Sequence, residues 1–107
     1  MERLYNIDKT LQFEIYSKDS EVKVSWDEAN QYCKELGIGW RLPTIDELKI
    51  IHSGLYKLGK GNFKASFYWS SDILGVNYRA YFLNFESGTS NNGDKSGPAY
   101  AIAVRTI

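Results

Sequence analysis

Thiols, imidazoles, prolines and unbalanced charge are all scarce in this chain. Its 107 residues hold one cysteine, one histidine and two prolines, and thirteen basic side chains face thirteen acidic ones. A lone Cys33 excludes an internal disulfide and any multi-cysteine zinc site, which fits a reducing compartment without requiring one. Nothing around the lone His52 suggests the partner that a catalytic imidazole needs. Zero net charge removes the general electrostatic ground for binding nucleic acid or an anionic membrane. It also leaves little colloidal repulsion, so a homo-oligomer or a place in a larger assembly is a natural expectation. No apolar run is long enough to span a bilayer, and Met1–Asn6 lacks the apolar core of a signal peptide. The location stays open: inside the cell, outside it by another route, or within a longer protein.

What the chain does have is core. Hydrophobic residues make up 43% and aromatics 15%, a folded composition sized for one domain over residues 1–107. Leu11, Phe13 and Ile15 alternate with polar neighbours as a half-buried strand does, and Val22, Val24 and Trp26 extend an alternating pattern. The period then changes. Ser25 with Glu28 forms a capping box, Trp26, Ala29, Cys33 and Leu36 recur at helical spacing, and Gly37 supplies the stop. Thr44 with Glu47 forms a second box, preceded by Pro43, which forces an extended arrival at Leu42. Ile45, Leu48, Ile51 and Leu55 are the stripe of this second helix.

Residues 53–66 read as an irregular loop, Phe67 to Ser70 as a short strand, and Tyr78 to Phe85 as a central one, apolar on both faces. Residues 86–98 are the most polar segment, with Asn92-Gly93 as a tight-turn signal. Ala99, Ala101 and Ala103 alternate with Tyr100, Ile102 and Val104, a terminal strand whose small face suits packing on the first helix.

Trp26-x-x-Ala29, Tyr32-Cys33-x-x-Leu36, Gly39-Trp40-Arg41-Leu42-Pro43-Thr44 with Glu47-Leu48, Tyr68-Trp69-Ser70-Ser71 and Ala103-Val104-Arg105 occur in this order. Together they resemble the bacterial domain at the C-terminus of collagen-like adhesins, a family largely of unknown function. The resemblance spans roughly residues 22–107. It implies an α+β, C-type-lectin-like fold related distantly to formylglycine-generating enzymes. In that fold two adjacent helices flank a twisted, mostly antiparallel sheet in which the N- and C-terminal strands pair. Trp26, Trp40, Arg41, Pro43, Thr44, Glu47, Trp69, Ser70 and Arg105 are then architectural, the guanidinium forks of Arg41 and Arg105 tying loop carbonyls or carboxylates.

The chemistry this resemblance brings does not transfer. Formylglycine-generating enzymes rely on a pair of cysteines late in the chain, which is absent here, while Cys33 sits on a buried stripe as a small hydrophobe. Ser70 and Ser71 lack an adjacent base. Animal C-type lectins hold calcium with Glu-Pro-Asn or Gln-Pro-Asp and with Trp-Asn-Asp, and none of these tripeptides is present. Asp72, Asn77, Asn91, Asn92 and Asp94 carry suitable oxygens, yet Asp and Asn are also turn residues. The lysines around Gly59-Lys60-Gly61 lack phosphate-loop spacing. No metal, cofactor or catalytic residue is expected.

The expected function is a non-enzymatic recognition module binding a protein or glycan through loops 53–66, 72–79 and 86–98. The candidate ligand-binding residues are Asp72, Asn77, Tyr78, Arg79, Tyr81, Asn91, Asn92 and Asp94, with Tyr68 beside them, since rings stack on sugar faces and amides pair with hydroxyls. A structural assembly subunit is the alternative.

Overall fold

Each capping box starts a ten-residue helix, α1 over Trp26–Glu35 and α2 over Ile45–Gly54. Both caps close reciprocally. Glu28 N–H donates to Ser25 Oγ at 3.3 Å and Ser25 N–H to Glu28 Oε1 at 2.9 Å, and the Thr44–Glu47 pair repeats this at 3.1 and 2.8 Å. Orphan amides at both helix starts are thereby satisfied by side chains within four residues. The computed structural model describes residues 2–5, 12–75 and 78–106.

The strands form two antiparallel three-stranded sheets. One has the order β1-β2-β6, with β1 at Glu2–Tyr5, β2 at Gln12–Ile15 and β6 at Val104–Thr106. The other has the order β3-β4-β5, with β3 at Phe67–Ile73, β4 at Arg79–Asn84 and β5 at Thr89–Asp94. The fold is α+β, the strands from the two ends of the chain pair, and β4 is central as its two-sided apolar pattern requires.

Several expectations need correction. The single sheet is two sheets, with isolated bridges joining Arg41 to Val104 of one and Tyr100 to Tyr68 of the other. Val22 to Trp26 contributes one bridge, Val24 to Ala99, rather than a strand. The start of the 53–66 loop is helical, with α2 running to Gly54 and a 3-10 turn over Tyr56–Leu58. Finally, Asn92-Gly93 lies inside β5. The chain reverses instead at residues 85–88, where Gly88 takes φ 76° and its N–H bonds Asn84 O at 2.7 Å. A left-handed glycine closing a four-residue hairpin outcompetes the Asn-Gly dipeptide because only the former leaves all six β4–β5 pairs in register. Strand β1 has no counterpart in the sequence reading, and Leu11 lies outside the described residues.

The terminal segment divides the core as its alternation requires. Ala99, Ala101 and Ala103 pack with Ala29 and Cys33 of α1, Trp40, Leu42, Trp69 and Ala80. Ile102 and Val104 point the other way, into Phe13, Ile15, Leu48, Ile51, Leu55, Tyr68, Leu83 and Phe85. Of this segment only Val104 onward is strand. The rest bonds to neighbouring loops, through Tyr16 N–H to Ala103 O and Ser20 N–H to Ala101 O, each at 2.9 Å.

Candidate functional site

The Trp-Arg-Leu-Pro corner is a lock. Pro43, fully buried, ends the extended approach, and its carbonyl accepts the Ser71 N–H at 2.7 Å. Arg41 places Nη1 2.7 Å from Glu47 Oε1 and Nη2 2.9 Å from Oε2, and also donates to Thr106 Oγ1 at 2.8 Å. Burial pushes the Glu47 carboxyl up, but the Arg41 fork and the Thr44 amide outweigh it, so the group titrates below its ordinary value. One carboxylate, 2% exposed, thus caps α2 and anchors the guanidinium. Arg105 of β6 is likewise anchored by a carboxylate, with Nε 2.7 Å from Glu14 Oε1 on the paired strand β2, and its guanidinium lies 4.6 Å from the Trp40 ring centroid. Gly39, at φ 90°, lets the chain pass this arginine, since a Cβ there would sit 3.3 Å from Arg105 Cδ.

The other motif side chains also point inward. Trp26 Nε1 donates to Ser70 O and Trp69 Nε1 to Val24 O, both at 2.9 Å, and Ser70 Oγ donates to Tyr81 O at 2.8 Å. Burial pushes the Cys33 thiol up to about 12, so it stays protonated, and His52 Nε2 lies 2.9 Å from Phe85 O.

The candidate ligand residues do not converge. Asp72 Oδ2 accepts the Ile45 N–H at 2.8 Å and so caps α2 from outside. Asn77 lies outside the described residues, and Tyr78 is exposed at the strand end. Arg79, Tyr81, Asn92 and Asp94 share one face of the β4–β5 pair, as their register shows, while Asn91, opposite Phe82, lies on the other. Arg79 Nε donates to Asn92 Oδ1 at 2.7 Å and Nη2 to Asn92 O at 3.2 Å, and Asn92 N–H donates to Asn91 Oδ1 at 2.8 Å. Asp94 Oδ1 accepts from the Ser96 N–H and Oγ, which holds its carboxyl below the usual value. Tyr68 is fully buried.

Two concavities are assembled instead. A cleft of about 350 Å³ opens between residues 15–21 and the Gly61–Lys64 segment. At its floor Asp19, its side chain 4% exposed, accepts from Lys64 Nζ at 2.7 Å, Tyr68 Oη at 2.8 Å and the Glu21 N–H at 2.8 Å. Burial raises the Tyr68 hydroxyl well above its ordinary value and keeps it a donor. Sequence reading missed this cluster because Lys64 and Tyr68 stand 45 and 49 residues from Asp19, and no local pattern joins them.

The second concavity is a groove of about 200 Å³ lined by Phe67, Trp69, Phe82, Gly93, Asp94, Gly97, Pro98 and Ala99. Phe67 and Phe82 meet edge to face, centroids 5.1 Å apart, and Phe67 is 38% exposed. Gly93 makes room for the platform, since a Cβ there would lie 3.1 Å from Phe82 Cε2. Asn84, Thr89 and Asn91 share this face. The alternation of β4 carries the signal for Phe82, but the polar run of β5 on the far side carries no strand signal of its own.

A family model described as the Lcl C-terminal domain matches residues 7–105. No curated protein matches the sequence. The chain belongs to the Lcl C-terminal domain family.

Proposed function

We propose that this member of the Lcl C-terminal domain family is an adhesin-like, non-enzymatic recognition module on a C-type-lectin-like scaffold, and that its ligand is an uncharged stretch of glycan seated in the Phe67–Phe82 groove. One observation carries the reading. The groove is lined by partly exposed rings, the neutral side chains of Asn84, Thr89 and Asn91 lie on the same face of the β4–β5 pair beside it, and among the described residues lining it Asp94 alone is charged. Rings supply a flat apolar face for sugar C–H groups, while amides and hydroxyls bond the ring hydroxyls at the border. A non-catalytic role agrees with the placement of Ser70, His52 and Cys33. Ser70 and His52 are bonded to backbone carbonyls, and Cys33 is a buried thiol.

The test is NMR titration with neutral oligosaccharides, with and without calcium. Shifts confined to the groove, lost in Phe67→Ala with the melting temperature retained, are the expected result. No binding by any oligosaccharide, or binding indifferent to Phe67→Ala, overturns the reading.

An assembly subunit is the second reading, favoured by Ile73 and Tyr78, which are 51% and 59% exposed at neighbouring ends of β3 and β4. A stable oligomer by light scattering that captures no glycan selects it.

A further inference from the structure

We propose that β5 is a strand-addition edge held shut by a side-chain clasp, and that its occupant once the clasp opens is β5 of a second copy of this chain. In the β3-β4-β5 sheet the outer side of β3 is covered: Trp69 N–H donates to Tyr100 O and Tyr100 N–H to Phe67 O, both at 2.9 Å. Strand β5 is the remaining edge. It runs six residues, Thr-Ser-Asn-Asn-Gly-Asp, without proline, lysine or a register shift, the devices that usually protect such an edge.

The direction of its backbone groups follows from one bond. Lys95 N–H donates to Tyr78 O at 2.8 Å, which makes that pair hydrogen-bonded. Antiparallel pairs alternate between bonded and non-bonded. Gly93 and Asn91 therefore bond to β4, while Ser90 and Asn92 direct N–H and C=O outward and Asp94 directs its N–H outward, its C=O also accepting the Gly97 N–H at 2.9 Å. At the middle of this outward row both groups of Asn92 are already taken. Its N–H goes to Asn91 Oδ1 at 2.8 Å, and its C=O accepts Arg79 Nη2 at 3.2 Å while Arg79 Nε holds the Asn92 side chain at 2.7 Å. Arg79 thus reaches across β5 and closes the position on which an incoming strand would centre.

A second copy fits the freed edge. A two-fold through Asn92 sets Asn92 opposite its own equivalent and Ser90 opposite Asp94 of the other copy, so no like charges face each other along the row. The chain's zero net charge adds no general repulsion.

The experiment is sedimentation of wild type, Arg79→Ala/Asn91→Ala and the same double variant carrying Ser90→Pro, with amide exchange on each. The double variant is expected to self-associate about tenfold or more tightly than wild type, with the Ser90, Asn92 and Asp94 amides protected as concentration rises. Ser90→Pro removes an outward donor without touching a β4 bond and is expected to restore the wild-type state. Association of the double variant equal to wild type overturns the proposal, as does tighter association that Ser90→Pro leaves intact. Should the double variant fail to fold, Asn91→Ala alone, on an exposed side chain, carries the same two outcomes with a smaller shift.

Discussion

Arg41 and Arg105, at the sheet that joins the chain ends, each meet a nearly buried carboxylate, Glu47 and Glu14. Arg79, on the β3–β5 sheet, meets the amide and carbonyl of Asn92 instead. The first arrangement commits charge to the interior. A buried acid stripped of its partner is costly, so these arginines hold tertiary structure in place. The second commits no charge, since Arg79 satisfies neutral acceptors at the rim and its loss leaves groups that water reaches. Similar side chains therefore sit in different settings: ion pairs with nearly buried acids at the corner, and neutral acceptors at the rim of the second sheet.

The comparison breaks first at the corner. Arg41→Ala is expected to destabilise the fold by about 2–3 kcal/mol in urea unfolding, below the range for a fully buried pair because the guanidinium is partly exposed. Arg79→Ala is expected to cost under about 1 kcal/mol. Equal losses would erase the distinction. Acid sharpens it. The Glu47 pKa is lower in the folded than in the unfolded chain, so its contribution is complete above the ordinary carboxylate range and is lost as pH falls through the lower folded value. Thermal melts from neutral to pH 3 should show a decline that Glu47→Gln flattens, whereas a decline unchanged by that substitution would place the acid sensitivity elsewhere.

A smaller effect separates the helices. Thr44→Ala is expected to cost about 1 kcal/mol or somewhat more, because the same box orients the Arg41 partner, and Ser25→Ala about 1 kcal/mol or less, because its Glu28 is exposed and unlinked. Calorimetry on the two variants measures the difference. The smallest change is expected for Phe67→Ala. A ring at the lip of an open groove should alter the melting temperature by at most about 3 °C while removing the glycan-induced shifts. A large stability loss there would make the ring a core residue.

Much of the scaffold was legible because its determinants are local. Ser25-x-x-Glu28 and Thr44-x-x-Glu47 each specify a helix start within four residues, and the small/large alternation of Ala99 to Val104 assigned each side chain to its cluster. Strand β5 was not legible, because a run of Thr, Ser, Asn, Gly and Asp has poor strand propensity and becomes a strand only through its pairing with β4. For the same reason Arg79, Asn91 and Asn92 resembled free ligand groups until their bonds to one another were known. The Asp19–Lys64–Tyr68 cluster was equally hidden, since its members meet only after two loops fold together.

The chain's own order of residues determined where helices begin, which stripes of the helices are buried and that the arginine corner is architectural, tied by loop carbonyls or a carboxylate, since capping, periodicity and the reach of a guanidinium operate over a few residues. Tertiary structure alone decided that the strands divide into two sheets, that a polar run becomes an edge, and that two phenylalanines fifteen residues apart form one groove. Those outcomes depend on which backbone groups find partners across the fold, and that choice is made by competition among distant segments.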